Sequence, residues 1–119
     1  MEYMLLFNSP ASDLERTPND PASKDYWESW RAYMGAIYGA GVVKSGNALQ
    51  APFAATTVRV REGKRLVHDG PYADTKEMLG GYLVIDVASL DEALVWAARS
   101  PSSQLGSTEV RPILKLPAG

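Results

Sequence analysis

The sequence predicts an α+β domain in which a ferredoxin-like β-α-β-β-α-β order carries an inserted β-hairpin. Three observations lead there. Residues 3–7 and 78–87 are apolar at both alternating parities, as strands covered on both faces are. Residues 21–40 and 90–99 repeat their apolar side chains at helical spacing and carry cap signals. Between them, Glu62-Gly63 separates two alternating runs, the pattern of a hairpin.

The first strand is expected over 3–7, with Tyr3, Leu5 and Phe7 on one parity and Met4 and Leu6 on the other. Residues 8–20 hold Pro10, Pro18 and Asn19 and read as a long polar loop, either a plain surface connection or a flap over a cleft. Asp20 then caps a helix over 21–40, with Pro21 at its first position. Trp27, Trp30, Met34, Ile37 and Tyr38 form one stripe with Tyr26 and Tyr33 beside it, and Gly39-Ala40-Gly41 ends the helix.

A second strand over 42–49 is interrupted by Gly46, which signals a bulge or a close backbone approach. In the hairpin, Thr56, Val58 and Val60 alternate with Thr57, Arg59 and Arg61, and residues 65–68 return. The cations Arg59, Arg61, Lys64 and Arg65 suit a solvated edge that resists strand addition, or an anion site. In the strand 78–87, Gly80-Gly81 leaves room for a ligand or another backbone. Ser89 and Glu92 form a capping box for the second helix, with Leu90, Leu94, Ala97 and Ala98 on one face and Pro101 as its stop. A last strand spans 108–116, with Pro112 marking an edge or a bulge.

Two helices cover one face of such a sheet and leave the other bare. Because residues 3–7 and 83–87 are apolar on both parities, the bare face is expected to form a symmetric homodimer, sheet against sheet.

The chain has 119 residues, which suits one domain over 1–119. Its net charge of −2, without a basic block, disfavours a nucleic-acid surface. No window reaches the roughly 18 apolar residues of a membrane span. The N-terminal apolar run is too short for a signal peptide, so a cytoplasmic setting is expected. Cysteine is absent and His68 is the single histidine, which argues against a transition-metal site. Neither G-x-G-x-x-G nor a P-loop occurs, and no cofactor is expected.

The densest polar stretch is His68-Asp69-Gly70-Pro71-Tyr72-Ala73-Asp74-Thr75-Lys76-Glu77. Gly70-Pro71 forces a turn. Asp69 reads either as an Asx-type cap of that turn or as a ligand or catalytic group. Residues 74–77 read as one helical turn capped by Asp74 and answered by Glu77, whose N–H groups and Lys76 suit an anion. His68 reads either as a structural residue at a strand end, the commoner role, or as a proton-transfer group, for which an imidazole is suited. The expected site pairs His68 and Asp69 as the proton-transfer groups. Tyr72, Asp74, Thr75, Lys76, Glu77 and Arg111 would line the ligand, with Lys76 or Arg111 meeting an oxyanion.

This stretch, with Leu79-Gly80-Gly81-Tyr82 after it, resembles the signature of the DGPF-domain, YCII-related proteins; Phe is usual where this chain has Tyr72. Residues 90–99, Glu109-Val110-Arg111-Pro112-Ile113 and Tyr3-Met4-Leu5-Leu6 resemble that family too. The resemblance implies a dimeric α+β barrel. It also implies lyase-type chemistry on a small aromatic molecule, since a relative is a dehydrochlorinase acting on a chlorinated hydroxyquinol. The alternative it implies is a non-catalytic regulatory module linked to extracytoplasmic-function sigma factors. The family's His–Asp pair lies in the first helix and in an Asp-Pro step after the second. This chain has no histidine in residues 20–40 and has Ser100-Pro101 at the step.

Overall fold

A computed structural model describes residues 1–117. Strands β1 (Glu2–Pro10), β2 (Val43–Ala48), β5 (Glu77–Asp86) and β6 (Ser107–Pro112) form an antiparallel sheet in the order β2-β5-β1-β6. Strands β3 (Thr56–Arg61) and β4 (Lys64–Asp69) pair separately as a two-stranded arm. Helices α1 (Ala11–Leu14), α2 (Lys24–Gly39), α3 (Leu90–Arg99) and α4 (Pro101–Leu105) complete the chain. The β-α-β-β-α-β plan with an inserted hairpin is thus the observed one.

The alternation of β1 and β5 sets the core. Tyr3, Leu5 and Phe7 of β1 and Leu83 and Ile85 of β5 point under the helices, where they meet Tyr33 and Ile37 of α2 and Ala93 and Ala97 of α3. Phe7, Trp30 and Tyr33 pack edge to face with ring centroids 5.1 to 6.0 Å apart. Such pairs each add about 0.5–1.5 kcal/mol beyond area burial. The opposite parity, Met4, Leu6, Tyr82 and Val84, lies on the uncovered face and stays partly exposed.

Several expectations are corrected. Residues 8–20 are not one loop: β1 runs on to Pro10, because β5 still pairs with Asn8, Ser9 and Pro10, and α1 follows directly. Asp20 caps as expected, its carboxylate accepting from the Ala22 N–H at 3.0 Å, but the first turn, Pro21–Ser23, is 3-10. The core stripe of α2 is rotated towards Tyr26, Trp30, Tyr33 and Ile37, which leaves Tyr38 exposed.

On α3 the small residues go inward. Ala93, Trp96 and Ala97 face the core, whereas Leu90 and Leu94 are 47% and 46% exposed. Alanines let the helix sit close to the sheet, and Trp96 fills the remaining volume. Pro101 starts α4 rather than opening a loop, as a proline at a first helical position does. Residues 74–77 form no helical turn; they lead straight into β5. The last strand ends at Pro112 on the sheet edge.

Candidate functional site: an aromatic cleft beside helix α2

A cleft of about 570 Å³ lies between α2 and the β2–β5 side of the sheet. Gly46, Gly80 and Gly81 lie on its floor beside Ala48, Leu49 and Leu83. A Cβ on Gly46 would meet Leu83 Cδ2 at 2.4 Å and the Tyr82 carbonyl oxygen at 2.6 Å, and one on Gly81 would meet the Asn47 carbonyl oxygen at 2.9 Å. These two glycines let β2 and β5 approach closely. Gly46 is therefore the close approach, and the register slip of β2 falls between Val43 and Ser45. The ladder between β1 and β5 skips Gly80, whose carbonyl receives the Leu49 N–H at 2.9 Å.

Above this floor stand Trp27, Trp30 and Met34 of α2, with Phe7 at the back. Trp27 is held by its indole N–H, which donates to the Thr17 carbonyl at 3.0 Å. Leu14 closes one end from α1, so the segment read as a flap does wall a cleft. Indole rings over a largely apolar strand surface suit a planar, largely apolar ligand.

One end of the cleft is polar. Asp13 of α1 and Tyr26 of α2 line it, and both also border a second hollow between α2, α3 and α4. Arg16 Nε donates to Asp13 Oδ1 at 2.8 Å, and its Nη1 donates to Ser23 Oγ at 2.9 Å. The same guanidinium lies 5.4 Å from the Tyr26 ring centroid. Burial, reinforced by the nearby Asp13 carboxylate, raises the Tyr26 phenol above its ordinary range, with Trp30 and Arg16 partly offsetting this. Tyr26 therefore stays protonated and can donate to an oxygen of a bound molecule. Arg31 and Asn47 supply further polar groups around the cleft. Among the described residues, no group of three or more His, Asp or Glu side chains is placed to hold a metal.

The residues of the His68–Glu77 motif lie elsewhere, on and beside the β3–β4 arm. His68 is exposed on β4, and its Nε2 donates to the Pro71 carbonyl at 3.3 Å. Asp69 is exposed at the end of β4, opposite Thr56. The turn is held from β3 rather than by an Asp69 cap. Gly70, at φ 114°, donates its N–H to Ala55 at 2.7 Å, and its carbonyl receives the Thr57 hydroxyl at 2.8 Å. Tyr72 is exposed, with the Arg59 guanidinium 5.9 Å from its ring.

Asp74 and Lys76 are exposed; the Thr75 hydroxyl bonds the Glu77 carbonyl, and Glu77 accepts from Ser107 at 2.7 Å. Arg111 sits on the uncovered sheet face beside Glu109, at 3.4 Å. None of these eight residues lines the cleft. Sequence reasoning missed Asp13 and Arg16. Their signal was an acid and a base three apart in a stretch free of glycine and proline, which one helical turn brings together.

At the Ser100-Pro101 step there is a hydroxyl cluster instead of a carboxylate. Ser100 Oγ lies 3.1 Å from Ser102 Oγ and 2.8 Å from Thr108 Oγ1, and donates to the Ala97 carbonyl at 2.7 Å. Ser102 and Ser103 reach Thr108 at 2.6 and 2.8 Å. Ser100 and Ser102 are fully buried, so the network satisfies groups that would otherwise be costly.

Three comparisons bear on this arrangement. A stretch of 62 residues is 50% identical to an uncharacterised protein of Rhizobium meliloti (strain 1021), spanning 50% of this chain and half the length of that relative. Among solved structures, 5-chloro-2-hydroxyhydroquinone dehydrochlorinase from Burkholderia phenoliruptrix AC1100, in complex with 2,5-dihydroxybenzoquinone, shares the fold. Its TM-score is 0.53 at 17% identity, over 96% of this chain and 94% of that one. The model of the YCII-related domain matches residues 1–117, and with the fold in agreement the chain belongs to the YCII-related domain family.

Proposed function

We propose that this protein is a cytoplasmic, homodimeric domain that binds a small planar aromatic molecule, phenolic or quinonoid, in the cleft beside α2. The observation that carries the reading is the cleft itself: indole walls over a largely apolar strand floor, and one polar end lined by Asp13 and Tyr26, with Arg16 bracing both. Stacking on Trp27 and Trp30 would supply affinity, and Tyr26 and Asp13 would orient a ring hydroxyl. The quinone held by the structural neighbour is of this chemical class. The homodimer would form through the uncovered sheet face, where Met4, Leu6 and Val84 await a cover.

Lyase-type chemistry is the finer part of the proposal. Elimination of HCl from a chlorinated hydroquinol removes the protons of the two para hydroxyls, returns one proton to the chlorine-bearing ring carbon and expels chloride, which leaves a quinone without any external redox partner. Asp13 is the carboxylate at the cleft and Tyr26 the hydroxyl donor. The second reading is a non-catalytic ligand-responsive module of the kind the resemblance links to sigma factors. It is favoured by the buried hydroxyl cluster at Ser100, the step at which the family pattern carries its Asp.

Calorimetric titration with 2,5-dihydroxybenzoquinone tests the binding reading. Wild type should bind, Trp27→Ala should weaken binding at least ~10-fold, and His68→Ala should leave it within about twofold. Equal affinity in wild type and Trp27→Ala would sink the cleft assignment. Chloride release from 5-chloro-2-hydroxyhydroquinone, lost in Asp13→Asn, separates the lyase from the non-catalytic module.

A further inference from the structure

The β3–β4 arm is amphipathic and appears inside out. Cross-strand pairing puts Val58 opposite Val67 and Val60 opposite Arg65, whereas Thr57, Arg59, Leu66 and His68 occupy the other face. Its own chain covers part of the polar face, at Thr57 and Arg59, while Leu66 on that face is 50% exposed. Thr57 and Arg59 are half-buried under the Gly70-Pro71-Tyr72 turn, through the Thr57–Gly70 hydrogen bond and the Arg59–Tyr72 contact. The valine face is bare: Val58, Val60 and Val67 are 56%, 60% and 51% exposed. A two-stranded ribbon is marginal in water without cover, and β-branched residues are the ones that gain from it.

The size of the exposed surface fits a second copy of this chain as the cover. A compact monomer of 12.9 kDa exposes about 6,300 Å². This chain exposes 8152 Å². The surplus, about 1,800 Å², falls within the roughly 1,000–2,500 Å² that each partner contributes to an obligate homodimer. The radius of gyration agrees, at 16.2 Å against about 13.5 Å for a compact domain of this length. Charge points the same way. Arg59, Arg61, Lys64 and Arg65 against Glu62 and Asp69 leave residues 56–69 at +2, so the remainder of a chain of net charge −2 carries −4. A basic arm is complementary to the acidic body of a second copy.

We infer that the valine face of the β3–β4 arm packs on a second copy of this chain, so that each protomer's arm embraces its partner and the dimer interface extends beyond the sheet face. The inference rests on the homodimer proposed above. It gives the Gly70–Tyr72 turn a role: it covers part of the arm's polar face and so leaves the valine face outward. It also makes the arm's stability dependent on association.

Sedimentation equilibrium and hydrogen exchange test this together. The Val58→Asp/Val60→Asp double variant should keep the monomer fold by circular dichroism and weaken dimerisation by roughly 30-fold or more. Amides of residues 56–69 in wild type should be protected above the dimer dissociation constant and exchange freely below it. A wild-type dimer whose affinity the double variant leaves unchanged, with arm amides unprotected, overturns the arm contact and keeps the sheet-face dimer. A wild type that is monomeric throughout overturns both and assigns the valine face to a different protein. Should the double variant fail to fold, the concentration dependence of wild-type exchange decides alone.

Discussion

Leu14 occupies the space that a side chain at Gly80 would need: a Cβ there would lie 2.4 Å from Leu14 Cδ2. A glycine in β5 thus seats the helix that walls the cleft. Gly80→Ala meets only the end of a flexible side chain, so Leu14 can turn away. The expected cost is about 1 kcal/mol, accompanied by a displaced α1 and altered ligand affinity. Gly46→Ala meets the Tyr82 carbonyl, a backbone atom, as well as Leu83, and should cost about 3 kcal/mol. Urea denaturation of the two variants checks the order.

Tyr33 ties α2 to α3. Its hydroxyl donates to the Trp96 carbonyl at 2.9 Å, and burial raises its phenol well above the usual range, with only Arg99 opposing. An unfolded tyrosine ionises near pH ~10, whereas the folded one holds its proton beyond that. The stability is therefore fully present below pH ~10 and is lost as pH rises towards the folded value. The loss is about 1.4 kcal/mol per pH unit for this group. Tyr33→Phe should cost about 1 kcal/mol near neutrality and show a shallower decline above pH ~10 than wild type. Parallel slopes in pH-dependent chemical denaturation would contradict this origin.

Thr108 is the hub of the buried hydroxyls, within 2.6 to 2.8 Å of Ser100, Ser102 and Ser103. Thr108→Val keeps the shape and removes the shared partner. Ser100 and Ser103 retain the Ala97 carbonyl, whereas Ser102 keeps only the Ser100 hydroxyl at 3.1 Å, so the loss falls mainly on Ser102. The expected destabilisation is about 1–3 kcal/mol, measured as a lowered midpoint with unchanged m-value. Adding Ser102→Ala to Thr108→Val should recover part of it, because the buried hydroxyl left with a single partner is gone.

Legibility followed periodicity. The strands around Leu5 and Leu83 and the α3 cap at Ser89 were readable because alternation and capping are local signals. The inward face of α3 was not. The sequence put Leu90, Leu94, Ala97 and Ala98 on that face; Ala97 is buried there, but close packing on the sheet adds Ala93 and turns Leu90, Leu94 and Ala98 outward. The candidate site was illegible for a related reason. Asp13, Tyr26, Trp27, Asn47 and Gly81 come from four separate elements, α1, α2, β2 and β5, which only the tertiary fold brings together. The His68–Glu77 stretch stood out because turn chemistry is dense in sequence, yet most of its polar atoms face solvent or bond the nearby backbone.

The Asp13–Arg16 pair allows stability and binding to be separated. Asp13 is the more covered partner, its side chain 13% exposed against 37% for Arg16. Arg16→Met leaves that carboxylate without its closest cation and removes a donor from Ser23. Solvent at Arg16 limits the penalty, so about 1 kcal/mol is expected rather than the several of a fully buried pair. Asp13→Leu/Arg16→Met removes both charges and should recover most of that loss, since apolar replacements of a partly buried pair are often neutral. Affinity for 2,5-dihydroxybenzoquinone behaves oppositely. The double variant keeps the indole walls but has no carboxylate at the polar end, so it should bind at least as weakly as Arg16→Met despite its higher stability. A double variant that regains both stability and affinity would show that the pair only braces α1 and does not meet the ligand.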